Sequence, residues 1–149
     1  MNLSKKQREE IRQMFDGKCA YCGVDLPEKG WHADHVKAVR YDLDYVRGSY
    51  DKYGAYTPGR MVKNGKVLRP ENDVIENIFP SCRACNIDKG SEELEDWRAY
   101  LQGRMIDVMR RDIPNFRHAE RFGLISVSKK PIVFWFEKYR GVESEHPSN

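Results

Sequence analysis

The chain has 149 residues, with 26 Lys plus Arg against 23 Asp plus Glu, and a net charge of +3 is too small by itself to mark a nucleic-acid binder. That length suits one domain with attachments rather than two independent cores. No stretch approaches the roughly 18 consecutive apolar residues of a membrane span, and the polar opening Met1-Asn2-Leu3-Ser4-Lys5-Lys6 lacks the apolar region of a signal peptide, so a reducing, cytoplasmic setting is expected.

Ser4 and Gln7 form a capping-box pattern ahead of Ile11, Met14 and Phe15, whose spacing predicts a helix ending near Asp16-Gly17. A knuckle at Cys19 to Gly23 and a turn at Pro27 to Gly30 follow, then a candidate strand from Trp31 to Val39 that contains Asp34 and His35. Residues 41–76 read as an insertion, rich in tyrosine and punctuated by Gly48, Gly54, Pro58 and Gly59. Within it, Asn64-Gly65 between apolar flanks predicts a tight hairpin turn in the 60–69 segment. A second core strand is expected from Val74 to Phe79, ending at Pro80. A short helix follows Cys85 and closes at Gly90, after which Leu94, Trp97, Leu101, Met105 and Val108 recur at helical spacing and predict a core-facing stripe. Pro114 breaks that pattern, a shorter helix is expected over 116–122, Ile132 to Phe136 reads as a late strand, and residues 141–149 as a loose tail.

All four cysteines fall in C-x2-C pairs, Cys19/Cys22 and Cys82/Cys85. Two thiolates at that spacing grip one tetrahedral ion from a tight turn, so a structural zinc on the four sulfurs is expected. The alternative, redox-active or disulfide-paired thiols, lacks the βαβ pattern that usually carries it. Fifty-nine residues separate Cys22 from Cys82. Closure entropy grows only logarithmically with length, so a gap of that size adds about 1 kcal/mol.

With those positions in view, the chain resembles the HNH nucleases of the ββα-metal superfamily over roughly residues 19–97. The likeness rests on the Cys19/Cys22 knuckle, Asp34-His35, Asn77 five positions before the second cysteine pair, Asn86 directly after it, and Lys89-Gly90 beyond. It implies an α+β fold: a ββα-metal core with structural zinc, flanking helices and an inserted hairpin. The resemblance further implies one nuclease domain over residues 1–140, with the insertion at 41–76 and a helical and strand extension over 91–140. It implies that His35 is the general base, a task suited to an imidazole of intrinsic pKa roughly 6.5. Asp34 and Asn86 would hold a catalytic divalent ion, and Asn77 would tie the loop between the strands and steady His35. Products would carry 5′-phosphate and 3′-hydroxyl ends. Asn86 stands where many members carry His, and an amide oxygen in place of an imidazole favours Mg²⁺ or Mn²⁺ over Ni²⁺. Because side chains alternate along a strand, Asp34 is expected to lean towards the helix bearing Asn86 and His35 to face the phosphate groove.

Candidate phosphate contacts are Arg83 and Lys89 near the motif, Arg60, Lys63, Lys66 and Arg69 in the hairpin, and Arg104, Arg110, Arg111, Lys129 and Lys130 further on. His32 and His118 read as surface residues, and His146 as part of the tail. The expected activity is metal-dependent cleavage of DNA, with specificity low or supplied by a protein partner, in a phage packaging setting for instance. The alternatives are RNA as substrate, or a non-catalytic zinc module that grips nucleic acid or serves in phage assembly.

Overall fold

A computed structural model describes residues 1–128 and 130–139. Lys129, His146 and the expected tail at 141–149 lie outside the described residues. The element order is α1 (Lys5–Gln13), β1 (His32–His35), β2 (Tyr41–Val46), β3 (Ser49–Tyr50), β4 (Tyr56–Thr57), β5 (Arg60–Val67), β6 (Ile78–Ser81), α2 (Arg83–Lys89), α3 (Leu94–Ala99), α4 (Met105–Asp112), α5 (Pro114–Arg121) and α6 (Trp135–Lys138).

The centre is the antiparallel pair β1–β6, in which Asp34 lies opposite Phe79 and His35 opposite Ile78. Both strands are shorter than the sequence suggests. β1 stops at His35, and residues 75–77 form a 3-10 turn before β6, which runs through Pro80. Pro80 cannot donate to a ladder, yet its carbonyl accepts from Ala20 N at 2.8 Å and so ties the cysteine knuckle to the sheet. Ser4 caps α1 in a full capping box with Gln7, and Ile11 buries that helix's inner face.

Packed on the sheet is an aromatic cluster. Tyr21 meets Trp97 edge-on at 5.2 Å, Trp97 stacks on Phe134 at 5.1 Å, and Phe79 meets Phe15 and Phe136. Phe134 comes from the region expected as a strand. That segment instead crosses the knuckle, donating from Trp135 N to Tyr21 O and from Phe136 N to Ala20 O, and turns into α6. The carbonyls it reaches belong to an irregular turn, so no ladder forms.

The long amphipathic segment is α3 and α4 joined by a π-helical turn over Tyr100–Arg104. Of its stripe only Trp97 is fully buried; Leu94 and Leu101 pack on the core from its edge. The extra residue of the π turn rotates the later part of the stripe away from the core.

The insertion differs most from expectation. β2 pairs with β5 and β3 with β4, so residues 41–67 form one long arm. Its reversal is at Asp51 to Ala55, where Asp51 Oδ1 accepts from Tyr53 N and Ala55 N at 2.8 and 2.9 Å. Asn64-Gly65 is inside β5. Gly65 uses its positive φ of 89° for a bulge, while Asn64 Nδ2 donates to Asp42 and Asp44 across the ladder.

Candidate active site and metal centre

The knuckle folds on local hydrogen bonds: Cys19 N donates to Val24 O and Gly23 N to Cys19 O. Cys82 caps the N-terminus of α2, its sulfur accepting from Cys85 N at 3.4 Å, which places the second pair in the helix's first turn. All four Sγ atoms lie within 4.8 Å of one another, and Cys22 Sγ is 3.9 Å from Cys82 Sγ. Tetrahedral zinc with Zn–S bonds of about 2.3 Å sets sulfurs about 3.8 Å apart, so the set fits that ion. The Cys85 thiol donates to Cys19 and holds its thiol down at about 4, while Cys85 itself is pushed up by that bond and by burial. Burial also raises Cys22 to about 11.

Asp34 points from β1 towards α2, and it is 7 % exposed. Its Oδ2 accepts from Tyr21 Oη at 2.5 Å and lies 3.1 Å from Lys89 Nζ. Lys89 also donates to His35 O at 2.8 Å and is fully buried. It is therefore not a phosphate contact, a correction to the sequence reading. Helical spacing from Asn86 gives its face correctly but not its depth; its ammonium is spent neutralising Asp34. Desolvation beside the Asp34 carboxylate pushes the Tyr21 phenol well above its ordinary range, so Tyr21 stays a donor. Asp34 Oδ1 has no hydrogen-bond partner among the described residues, and Asn86 lies half-exposed one turn before Lys89 on the same face of α2.

His35 turns the other way. Its Nε2 lies 2.9 Å from Asp73 Oδ1, and Asp73 Oδ2 receives the Met1 amino group at 3.0 Å. Those two partners, the amino group first, hold the Asp73 carboxyl below its usual range. An ionised carboxylate only accepts, so Nε2 donates to it, and in the neutral ring the lone pair is then on Nδ1. His35 lines a polar cleft of about 380 Å³ with Arg8, Trp31, His32 and Ile78. A larger cavity of about 590 Å³ is mostly apolar and lies instead between Cys22, Cys85, Trp97 and Phe134.

Asn77 closes the loop around His35. Its Oδ1 accepts from Lys37 N at 2.9 Å, and its Nδ2 donates to Lys37 O and Asn72 O, both at 2.8 Å. Arg83 is exposed, as are Arg60, Lys63 and Lys66, whereas Arg69 is paired with Glu93 at 2.9 Å. Arg110 and Arg111 are neutralised by Glu120 and Asp112. His118 is exposed on α5.

Tyr21, Asp73 and the buried part played by Lys89 are absent from the sequence reading. Asp73 alone had a signal, lying four residues before Asn77.

No family model matches the chain, and no solved structure does. Over 96 residues it is 26% identical to the "SPbeta prophage-derived putative HNH endonuclease YoqL" of Bacillus subtilis (strain 168). The match takes in 64% of this chain and 33% of that protein, so the chain spans about a third of its relative's length. At that identity the likeness suggests the HNH family.

Proposed function

We propose that the chain is a metal-dependent HNH endonuclease that hydrolyses phosphodiester bonds in DNA. The observation that carries this reading is the His35 imidazole, anchored through Nε2 by Asp73 and left with a free Nδ1 beside a polar cleft. An imidazole in that tautomer is ready to take a proton from an attacking water. Asp73 orients it from one side, and Asn77 fixes the loop that follows it.

Zinc on Cys19, Cys22, Cys82 and Cys85 is the structural ion of this reading. Asp34, through Oδ1, and Asn86, through its amide oxygen, are the residues that would hold a catalytic Mg²⁺ or Mn²⁺, which polarises the scissile phosphate when bound. Lys89 beside Asp34 is a like charge to any such cation, and so favours weak binding of the ion. A phage setting, suggested by the relative's name alone, belongs to the same proposal.

The Lys89 clamp also favours a second reading, a zinc module that grips nucleic acid without cutting it. Supercoiled plasmid incubated with Mg²⁺ or Mn²⁺ decides between them. Wild type should nick or linearise it, and His35→Ala should lower the rate by at least about 100-fold while DNA binding persists. No cleavage by wild type with either ion selects the second reading.

A further inference from the structure

The arm over residues 41–67 has a surface unlike the rest of the molecule. Residues 41–67 hold five Lys or Arg against three Asp, a balance of 5 − 3 = +2, and the other 122 residues carry 21 cations and 20 anions. Most of the formal excess of the chain sits there. So do five of its eight tyrosines.

Among the described residues, most side chains on both faces of this ribbon are exposed. Pairing of Leu43 with Lys63 and Tyr45 with Met61 puts these side chains on one side, all exposed, with the Lys63 ammonium 3.6 Å from the Tyr41 ring centre. Tyr45 is 65 % exposed and Tyr53, in the reversal, 82 %. A two-stranded ribbon with no packed face is marginal in water, and apolar side chains left outward along it gain only when something covers them. The arm's base adjoins the candidate site: Leu68 N donates to Arg40 O at 2.7 Å, and Asn72 Nδ2 to Ala38 O at 2.9 Å, within the loop that Asn77 ties beside His35.

An occupant has to match both the cations and the open rings. An acidic protein surface answers the charge but offers no flat partner for the tyrosines. Duplex DNA answers the charge too, but its base faces are hidden in the stack. Unpaired nucleotides present phosphates and free base faces together. We propose that the 41–67 arm binds an unpaired stretch of nucleic acid, with phosphates on its exposed cations and bases stacked on Tyr45 and Tyr53. The proposal rests on the nuclease reading only in taking nucleic acid as the ligand.

The test uses the full, zinc-loaded chain carrying His35→Ala, so that the probe is not consumed. Fluorescence anisotropy follows a labelled oligothymidylate of about 16 nucleotides and a duplex of equal length. The single strand should bind at least tenfold tighter than the duplex. Tyr45→Ser with Tyr53→Ser should lose about tenfold or more on the single strand, while Tyr45→Phe with Tyr53→Phe keeps the affinity within about twofold, since the ring that stacks on a base is retained. Lys63→Ala with Lys66→Ala should flatten the salt slope by about 1.4, or 0.7 for each phosphate contact. An oligonucleotide bearing 5-iodouracil, irradiated on the tyrosine-intact protein, should crosslink to Tyr45 or Tyr53, a readout that does not depend on how the serine variant folds. Unchanged affinity in a folded serine variant, a preference for duplex, or crosslinks only outside the arm overturns the proposal. So does a dimer that the serine variant dissociates with no change in oligonucleotide affinity. If wild type cuts nothing yet the arm binds as described, the nuclease reading fails and the arm stands. If wild type cuts and the serine variant binds and cuts equally well, the arm alone fails.

Discussion

Lys89 and Asp34 are charges placed where charge is costly, the first fully buried and the second nearly so. Each is tolerable because of the other, with Tyr21 and the His35 carbonyl filling the remaining hydrogen-bond sites. Removing one member of such a pair strands its partner, at a cost of about 3–5 kcal/mol. Lys89→Met should therefore lower the urea midpoint by that equivalent, and Lys89→Met with Asp34→Asn should regain much of it. A single variant as stable as wild type would show that the pair has little hold on the sheet and α2. Asp73 acts on rate instead. Asp73→Ala frees the His35 ring and should cut the plasmid cleavage rate about tenfold or more with little change in half-saturating DNA; Asp73→Asn, which keeps an oxygen acceptor, should recover part of the loss. Equal losses in both variants would assign Asp73 to folding. These partners escape a sequence reading for a physical reason. Asp34, His35, Asn77 and Asn86 stand at fixed offsets from the cysteines, whereas the Tyr21–Asp34 and His35–Asp73 contacts depend on how separate segments register in space.

At the scale of elements, local chemistry was legible wherever it acts alone, as in the Ser4 capping box and the break at Pro114, although α5 begins at that proline and not at Phe116. It misled where two structures use the same conformation. Asn64-Gly65 supplies a positive φ, which serves a bulge as well as a turn, and Asp51 makes the true reversal by capping two backbone amides. Likewise the apolar run at 132–136 has strand composition, but the knuckle it meets offers carbonyls at Ala20 and Tyr21 and no regular edge. That docking is close. Gly23 has φ 77°, and a Cβ there would sit 2.9 Å from Trp135 Cε3. Gly23→Ala should thus both strain the knuckle and push Trp135 off it, a loss of about 1–2 kcal/mol with raised protease sensitivity after residue 130. Unaltered proteolysis together with an unaltered melting temperature would mean that the segment is held by Phe134 and the Arg98–Glu137 pair alone.

For the molecule as a whole, the sulfur cluster is a second meeting point of the chain beside the hydrophobic core. The core joins Ile11, Trp31, Ile78, Trp97 and Phe134 from five separate segments, with Cys19 and Tyr21 of the knuckle in the same cluster. The cysteine pairs sit at the two ends of the span that contains β1, the arm and β6, so an ion on them fixes the chain on both sides of the candidate site. Taking it away leaves four close sulfurs in a partly buried pocket, with nothing but weak thiol hydrogen bonds to join the two pairs. Structural zinc contributes about 10–16 kcal/mol of apparent binding energy in small domains, comparable to or larger than the whole stability of an ordinary one. The purified chain should therefore carry one zinc per molecule by elemental analysis. A strong chelator should abolish the near-ultraviolet dichroism of the Tyr21–Trp97–Phe134 cluster, and zinc should restore it where Mg²⁺ does not. Retention of that signal after the zinc has gone would mean that the aromatic cluster holds the knuckle unaided, and that the sulfurs are close for some reason other than a shared ion.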